Sequence, residues 1–193
     1  MKNIILLLLI LTITAVSSAD NRKIDNQYNV AFPGKIIDLN YIGARNYEKA
    51  ELGYSVRYEN KDNTKLDIYI YNNGLTELSK GLKDPRIRQM FDASENDLKA
   101  AIDAKYYRSA MLDDLDTNTL SKLLDGKYLS KKHTIIYGPA LQKMDGVEMD
   151  SYTIMTGLNG NILKLRISAP KENHIKTEYI AKIAETVYEL FKL

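Results

Sequence analysis

The sequence of 193 residues contains no cysteine and no tryptophan, and it has only two histidines. Without cysteine the chain cannot form disulfides, use a thiol nucleophile, bind a metal through thiolates or carry a lipid on an N-terminal cysteine. It has 27 basic and 25 acidic side chains, for a formal net charge of +2. This balance predicts no electrostatic attraction to nucleic acid or to an anionic membrane surface.

Motifs of common catalytic sites are also missing. The sequence has no G-x-S-x-G segment and no glycine-rich phosphate-binding loop. His133 and His174 lie far apart in the sequence, and no spacing predicts that they meet a carboxylate in a zinc or catalytic site. We therefore expect surface or capping roles for both histidines, no enzyme activity and no cofactor.

Residues 1–19 have the parts of a secretory signal peptide. Lys2 precedes an apolar run over residues 4–13, and the small residues Ser17 and Ala19 stand at positions −3 and −1 before a cleavage point. An uncleaved membrane anchor is the weaker interpretation, because a membrane-spanning helix needs roughly 20 apolar residues. The pattern predicts a periplasmic or secreted protein with no membrane span after cleavage.

The rest of the chain divides into a short leader and one folded unit. Residues 20–34 begin with polar side chains and end in a Pro-Gly turn, which predicts a flexible lead-in. Residues 35–193 contain no linker and no repeat, and a chain of this size buries roughly 70 % of its unfolded surface without disulfides. We expect a single α+β domain over 35–193.

Residues 54–71 predict a β-hairpin and its register. Apolar side chains alternate with polar ones on both sides of a polar loop, the period-2 pattern of half-buried strands. Three registers keep the apolar residues on one face. Only the register with Arg57 opposite Asp67 and Glu59 opposite Lys65 avoids like-charge pairs, because a slide of two residues sets Arg57 opposite Lys65 or Glu59 opposite Asp67.

The Asn-Gly dipeptide at 159–160 predicts a second hairpin. A two-residue type I′ turn at this position pairs Leu158 with Asn161. Along the strand that follows, alternation puts the apolar side chains on one face and Lys164 and Arg166 on the other.

The Asp-Gly dipeptide at 145–146 predicts a further two-residue turn. This turn would place Lys143 opposite Glu148 and Tyr137 opposite Ile154. The two turns together predict a three-stranded meander over 133–144, 147–157 and 161–168.

Apolar residues at spacings of three and four predict two long helices and one short one. The first long helix begins at 84–85, with aspartate as the N-cap and proline in the first turn. The short helix covers 118–125 and the last helix covers 173–192, while alternation over 35–42 predicts one more strand. The fold class is therefore α+β, with a mostly antiparallel sheet of about six strands that carries two long helices and one short helix.

The hairpin Y-S-V-R-Y…L-D-I-Y-I-Y, the helix after it, and the ending N-G-N-I-L-K-L-R-I-S-A-P with its final helix resemble small exported proteins of the PsbP-like fold. Within that group the chain is most similar to uncharacterised exported bacterial proteins. The resemblance implies an antiparallel sheet with helices on both faces, and a role in binding or assembly rather than catalysis. It carries over no site residue, because no shared site motif is available to match.

Asp114, Asp116, Asn118 and Asp125 have the spacing of oxygen ligands in an EF-hand calcium loop. The segment departs from that pattern, with threonine at the glycine position, lysine at the ninth position and aspartate instead of glutamate at the twelfth. In the alternative interpretation, Asn118 caps the short helix and the aspartates are solvated near its positive end. The four residues are thus a weak calcium-site candidate, and no bound metal is predicted.

Fourteen tyrosines against three phenylalanines make an unusual aromatic composition. Tyr69 and Tyr71 lie on the polar face of the predicted hairpin, beside Arg57. If a helix covers this face, the tyrosines belong to a second core. If the face is open, tyrosine beside arginine is typical of a protein interface.

Three functions remain open from the sequence. The first is an exported, non-enzymatic protein that binds another protein or an envelope component. The second is a small-ligand binder or hydrolase that uses acidic residues such as Asp113, Asp114 and Asp116. The third is an inhibitor or immunity protein that acts against a secreted toxin.

Overall fold

The computed structural model of the chain describes residues 24–25 and 27–191. The predicted signal peptide, residues 1–19, lies outside this part of the chain. Within the described ranges, no helix is long and apolar enough to cross a membrane.

The described residues form ten strands and three α-helices. In chain order these are β1 (Ile24–Asp25), β2 (Val30–Ala31), β3 (Lys35–Ile36), β4 (Leu39–Asn46), β5 (Tyr54–Glu59), β6 (Lys65–Tyr71), α1 (Pro85–Asp103), β7 (Tyr107–Leu112), α2 (Asp114–Leu123), β8 (Leu129–Tyr137), β9 (Glu148–Leu158), β10 (Asn161–Pro170) and α3 (Thr177–Glu189).

Eight strands form one antiparallel sheet in the order β3-β4-β5-β6-β10-β9-β8-β7. β1 and β2 form a separate two-stranded ribbon. The fold is α+β, as predicted, but the large sheet has eight strands rather than about six. Two differences account for this: β7 was not predicted, and the single strand predicted over 35–42 is divided into β3 and β4.

Two predicted hairpin registers are confirmed. In the first hairpin, β5 to β6, Arg57 lies opposite Asp67 and Glu59 lies opposite Lys65. In the second, β9 to β10, Leu158 pairs with Asn161 across the Asn-Gly turn. The charge pairs in one hairpin and the turn dipeptide in the other were sufficient to determine the register.

The prediction of one continuous strand over 35–42 is wrong. The chain turns at Ile37, so that Ile36 pairs with Leu39 and two antiparallel strands replace one. Ile37 has a φ of +56°, a left-handed conformation that is rare for a β-branched residue. The alternation of apolar and polar residues did not indicate a turn at Ile37.

The chain does turn at 145–146, but the two-residue hairpin predicted there, with its register, is wrong. β8 ends at Tyr137, a 3₁₀ segment over 139–144 follows, and Ser130 rather than Tyr137 lies opposite Ile154. This displacement of seven residues is odd in number, so it moves Tyr137 to the opposite face of the sheet. Proline at the first position of the 3₁₀ segment lacks the N–H that a continued strand needs.

Two of the predicted helix starts are tested by capping contacts. Asp84 caps α1 as predicted, and its carboxylate accepts a hydrogen bond from Arg86 N at 3.0 Å. α2, in contrast, begins earlier than predicted, because Asp113 is its N-cap and accepts from Asp116 N at 3.1 Å. Asn118 therefore lies inside the helix and does not cap it.

The sheet has two covered faces with different contents. α3 and α2 pack on the first, here called the α3 face, over a core of aliphatic side chains that includes Val56, Ile68 and Leu165. Tyr28 and Phe32 also belong to this core, at 5 % and 0 % exposure. This part of the predicted flexible lead-in, 20–34, is therefore packed into the folded domain.

α1 covers the second face, here called the α1 face. Its N-terminal half packs through Ile87 and Phe91 on one apolar cluster, and its C-terminal half packs around Ala101 on another. The loop before α1 is fixed to the sheet by two hydrogen bonds between Gly81 and Gly157. A side chain at Gly157 would meet Ser79 O at 2.2 Å, so the close approach requires glycine.

Candidate functional site

A cavity of about 260 Å³ lies between the middle of α1 and the sheet. It forms because the sheet-facing side of α1 is apolar at both ends but carries the small or polar residues Ala93, Ser94 and Asp97 between them. These side chains are too short or too polar to fill the space above the strands. The volume is near the lower end of the range for small-molecule sites.

Cross-strand pairing builds the floor of the cavity. One row runs from Arg57 to Asp67, Arg166 and Thr153 across four adjacent strands, β5, β6, β10 and β9. In an antiparallel sheet such directly opposed side chains lie about 5 Å apart on one face. The pairing of β6 with β10 thus brings charged residues of the two predicted hairpins into one row.

Arg57 and Asp67 form an ion pair within this row. Arg57 Nε and Nη2 donate to the two carboxylate oxygens of Asp67 at 2.6 and 2.8 Å. Burial alone would lower the pKa of the Arg57 guanidinium, but Asp67 outweighs it and the pKa is raised. The pair is internally satisfied, so it supports the wall of the cavity and leaves neither charge without a partner.

Arg166 has different neighbours. Its Nη2 donates to Tyr107 Oη at 2.6 Å, and its Nε donates to Ser151 Oγ at 3.4 Å. Burial by itself lowers the pKa of Arg166, but the phenols of Tyr107, Tyr137 and Tyr69 outweigh it and raise the pKa. Asp67 lies opposite Arg166 on β6 but pairs with Arg57, and no carboxylate in the described part of the chain forms an ion pair with Arg166.

Lys164 is the second cation on the floor. It lies opposite Tyr69 on one neighbouring strand and Met155 on the other. Burial lowers the pKa of the Lys164 ammonium, Asp97 opposes this effect and Arg166 adds to it. Burial also raises the pKa of Asp97, which faces the same cavity from α1.

The predicted interface residues Tyr69, Tyr71 and Arg57 all line this cavity. Tyr71 also packs against the apolar cluster under the start of α1. Burial raises the pKa of both tyrosines, so their phenols stay neutral. The interpretation of a covered second core is correct in that α1 covers this face and Tyr71 packs under it, but neither interpretation anticipated the space that α1 leaves beneath its middle.

The expected surface role of His133 is wrong. Its side chain is 5 % exposed, faces the cavity from β8, and its Nε2 lies 3.3 Å from Glu95 Oε2 on α1. Burial lowers the pKa of His133 despite the nearby carboxylate. The neighbouring Lys131 donates to the other oxygen of Glu95 at 3.1 Å, so the two β8 residues fix α1 to the sheet. His174, as expected, is exposed.

Ser151, His133 and Glu95 have the side-chain types of a nucleophile, a base and an acid, but not the geometry. Ser151 Oγ bonds to Arg166 and Ser168, and no hydrogen bond joins it to His133 among the described contacts. Ser151 also lies within β9, between two paired strands, so its backbone N–H belongs to the sheet ladder. An acyl-transfer site needs a base on the nucleophile and free donors for an oxyanion, and this arrangement supplies neither.

Searches against family models, curated proteins and solved structures found no match for this chain.

The calcium-loop candidates lie outside the cavity. Asp114, Asp116 and Asn118 are part of α2, and Asp125 follows the end of that helix. A helix cannot wrap its side chains around one ion as an EF-hand loop does. Within the described ranges, no group of three or more acidic or histidine side chains is placed to hold a metal ion.

The acidic residues of the hydrolase hypothesis bind a lysine instead. Lys132 Nζ lies 3.1 Å from Asp113, 2.6 Å from Asp116 and 3.4 Å from Asp150, and its side chain is 9 % exposed. Hydrogen bonds from the helix backbone and from Lys132 lower the pKa of Asp113. These carboxylates are thus occupied in holding α2 to β8, and Asp114 lies outside the cavity in the first turn of the helix.

Two features of the sequence indicate this site. Lys164 and Arg166 were placed correctly on the face opposite the apolar residues of β10, and Ser94 interrupts the apolar stripe of α1. Charged residues on a sheet face that a helix covers cannot be ordinary core residues. What local pattern could not supply was the pairing of β6 with β10.

Proposed function

We propose that this chain binds a small anionic molecule in the cavity between α1 and the sheet, with Arg166 as the principal contact. A single observation carries the proposal. Arg166 is partly buried among the phenols of Tyr69, Tyr107 and Tyr137, and no described carboxylate forms an ion pair with it, because Asp67 is engaged by Arg57. A partly buried cation with no ion-pair partner of its own is costly, so an anion that enters the cavity is stabilised there.

The donors and walls favour an organic anion over a bare inorganic one. Only two of the five N–H groups of Arg166 are used in the described hydrogen bonds, which leaves donors for a carboxylate or a similar group. Lys164 adds a second cation. Met90, Leu98 and Ile135 supply apolar wall for the remainder of the molecule. This mixture of a few charged donors with apolar and aromatic walls is common in small-molecule sites.

Calorimetric titration of the folded protein with benzoate, octanoate and inorganic phosphate tests the proposal. We expect an organic carboxylate to bind, and Arg166→Gln to weaken that binding about tenfold or more, since a hydrogen bond to a charged group contributes about 1.5–3 kcal/mol. Arg108→Gln is the matched control, because Arg108 forms a two-pronged pair with Asp145 at the surface, away from the cavity. Equal affinity in the Arg166 variant and in the wild type would contradict the proposal.

Export and the PsbP-like fold remain part of the proposal. The signal-peptide pattern of residues 1–19 supports export, and helices on both faces of a large antiparallel sheet agree with the fold that the resemblance implies. Cleavage before residue 20, measured by N-terminal sequencing of protein from the culture medium or periplasm, tests the first point.

A protein or envelope partner is the second candidate function. One observation favours it. The edge strand β7 and the start of α2 expose Met111, Leu112 and Leu115 at 56 %, 48 % and 77 %. Exposed apolar side chains on a sheet edge are typical of surfaces that pair with another chain. Chemical crosslinking in envelope extract should give a specific product with the wild-type chain, and Leu115→Asp should abolish that product.

A further inference from the structure

Lys164 differs from the lysines that form ion pairs in this chain. The described ion pairs involve Lys65, Lys99, Lys131, Lys132 and Lys171. The ammonium of Lys164 has no hydrogen bond and no ion pair with any described side chain, although Lys164 is partly buried and lines the cavity. A partly buried lysine that holds no structural partner is free to react.

Its surroundings favour the neutral amine. Burial lowers the pKa of Lys164, and the positive charge of Arg166, two residues along the same face, lowers it further. Desolvation and a neighbouring cation are the two means by which proteins activate a lysine nucleophile. Asp97, across the cavity, opposes the shift, but burial favours its own protonated form.

We propose that Lys164 Nζ is a nucleophile that forms an imine with a small oxo acid whose carboxylate is bound by Arg166. This inference rests on the proposed function, because the same anion site holds the carboxylate. The two side chains leave one face of β10 two residues apart, so their Cα atoms are separated by roughly 7 Å. Both side chains are long and flexible enough to contact one ligand of a few carbon atoms.

The step balances without any further reactant. The lone pair of Nζ forms the N–C bond while the carbonyl π electrons move to oxygen, which gives a carbinolamine. The C–O bond then breaks, and the two protons of the amine leave with that oxygen as one water molecule. Asp97 is the cavity carboxyl that can carry protons from nitrogen to oxygen, giving one and accepting one.

Reductive trapping tests the inference on the wild-type chain. The protein is incubated at neutral pH with glyoxylate, pyruvate or 4-oxopentanoate, reduced with cyanoborohydride, and digested for peptide mass spectrometry. We expect Lys164 to be labelled about tenfold faster than the exposed Lys99, because Arg166 holds the carbonyl compound beside Lys164 and the lowered pKa of Lys164 raises the fraction of reactive amine. Labelling of Lys99 and Lys164 at equal rates would overturn the inference.

Two comparisons assign the roles. Benzoate should protect Lys164 from labelling if the carboxylate site is shared. Arg166→Gln should slow labelling by pyruvate about tenfold but leave labelling by the neutral ketone butanone within about twofold. Equal labelling by pyruvate and butanone in the wild type would overturn the role of Arg166. Lys99→Arg, on the exposed side of α1, is the control and should leave Lys164 labelling unchanged.

The outcome separates the two levels of the proposal. Benzoate binding without labelling at Lys164 would overturn imine formation and leave the anion-binding function in place. If neither benzoate binding nor Lys164 labelling is observed, the anion-binding function and imine formation are both overturned. The wild-type protection experiment needs no substitution, so the result stands even if a cavity variant fails to fold.

Discussion

The two faces of β10 lie in contrasting environments. On the α3 face, Leu163, Leu165 and Ile167 are 1 %, 0 % and 0 % exposed and pack into one apolar core. On the α1 face, Lys164 and Arg166 alternate with them and border a cavity. One strand therefore contributes both to the large apolar core and to the candidate site, because its two faces carry different side chains and lie under different helices.

The α3 face is filled because α3 has an apolar side along its whole length, whereas α1 has one only at its ends. Ile180, Ile183 and Val187 of α3 are fully buried. On α1 the corresponding middle of the helix presents Ser94 and Asp97. The α3 face is thus filled by packed apolar side chains, whereas the α1 face carries the charged residues of the candidate site. Substitutions on the two faces should therefore differ in their effects on stability.

The largest effect is expected on the α3 face. Leu165→Ala should lower the free energy of unfolding by about 3 kcal/mol, because it removes buried methyl groups from a well-filled core. The adjacent Lys164→Ala should change it by less than about 1 kcal/mol, since that side chain borders a cavity and holds no partner. Urea unfolding of both variants measures the difference. Equal losses would show that the cavity face contributes as much packing as the core.

Two lysine substitutions compare how a lysine with ion-pair partners and one without them contribute to stability. Lys132→Met should destabilise the protein by about 2 kcal/mol, because Asp113, Asp116 and Asp150 would lose their shared cation. This is below the value for a fully buried pair, since the aspartates on α2 are about a third exposed to water. Lys164→Met should be neutral or stabilising, as it replaces a partly buried polar amine that has no structural partner with an apolar side chain. A larger loss for Lys164→Met would mean that its ammonium has a structural role.

The smallest effect concerns pH. Burial lowers the pKa of His133 below its ordinary 6.5, although Glu95 opposes this and Lys131 and Arg166 add to it. The unfolded chain then takes up a proton at this residue more readily than the folded one, so stability is present above about pH 6.5 and falls as the pH drops toward the folded-state pKa.

Between pH 7 and 5.5 the wild type should lose less than about 1 kcal/mol from this residue. His133→Gln should remove that part of the pH dependence in thermal unfolding scans, and the exposed His174→Asn should not. An unchanged profile in His133→Gln would contradict the assignment.

How far the sequence predicted this structure depended on the range of each interaction. Arg57 opposite Asp67 could be found because the two strands are joined by a short loop and charge excluded the other registers. β8 against β9 was misplaced because its connection contains a 3₁₀ segment that no turn dipeptide reports. The cavity was missed because it needs β6 beside β10, a pairing between residues almost a hundred positions apart, such as Tyr69 and Lys164.

The two-residue turn at 159–160 has a consequence for how this protein tolerates mutation. Inserting or deleting one residue between that turn and Lys164 would exchange the two faces of β10, moving Lys164 and Arg166 into the apolar core and Leu165 into the cavity. Many substitutions on either face alter only their own surroundings, but a change in length disrupts the core and the site together. The length of this strand is therefore constrained more tightly than the identity of most of its residues.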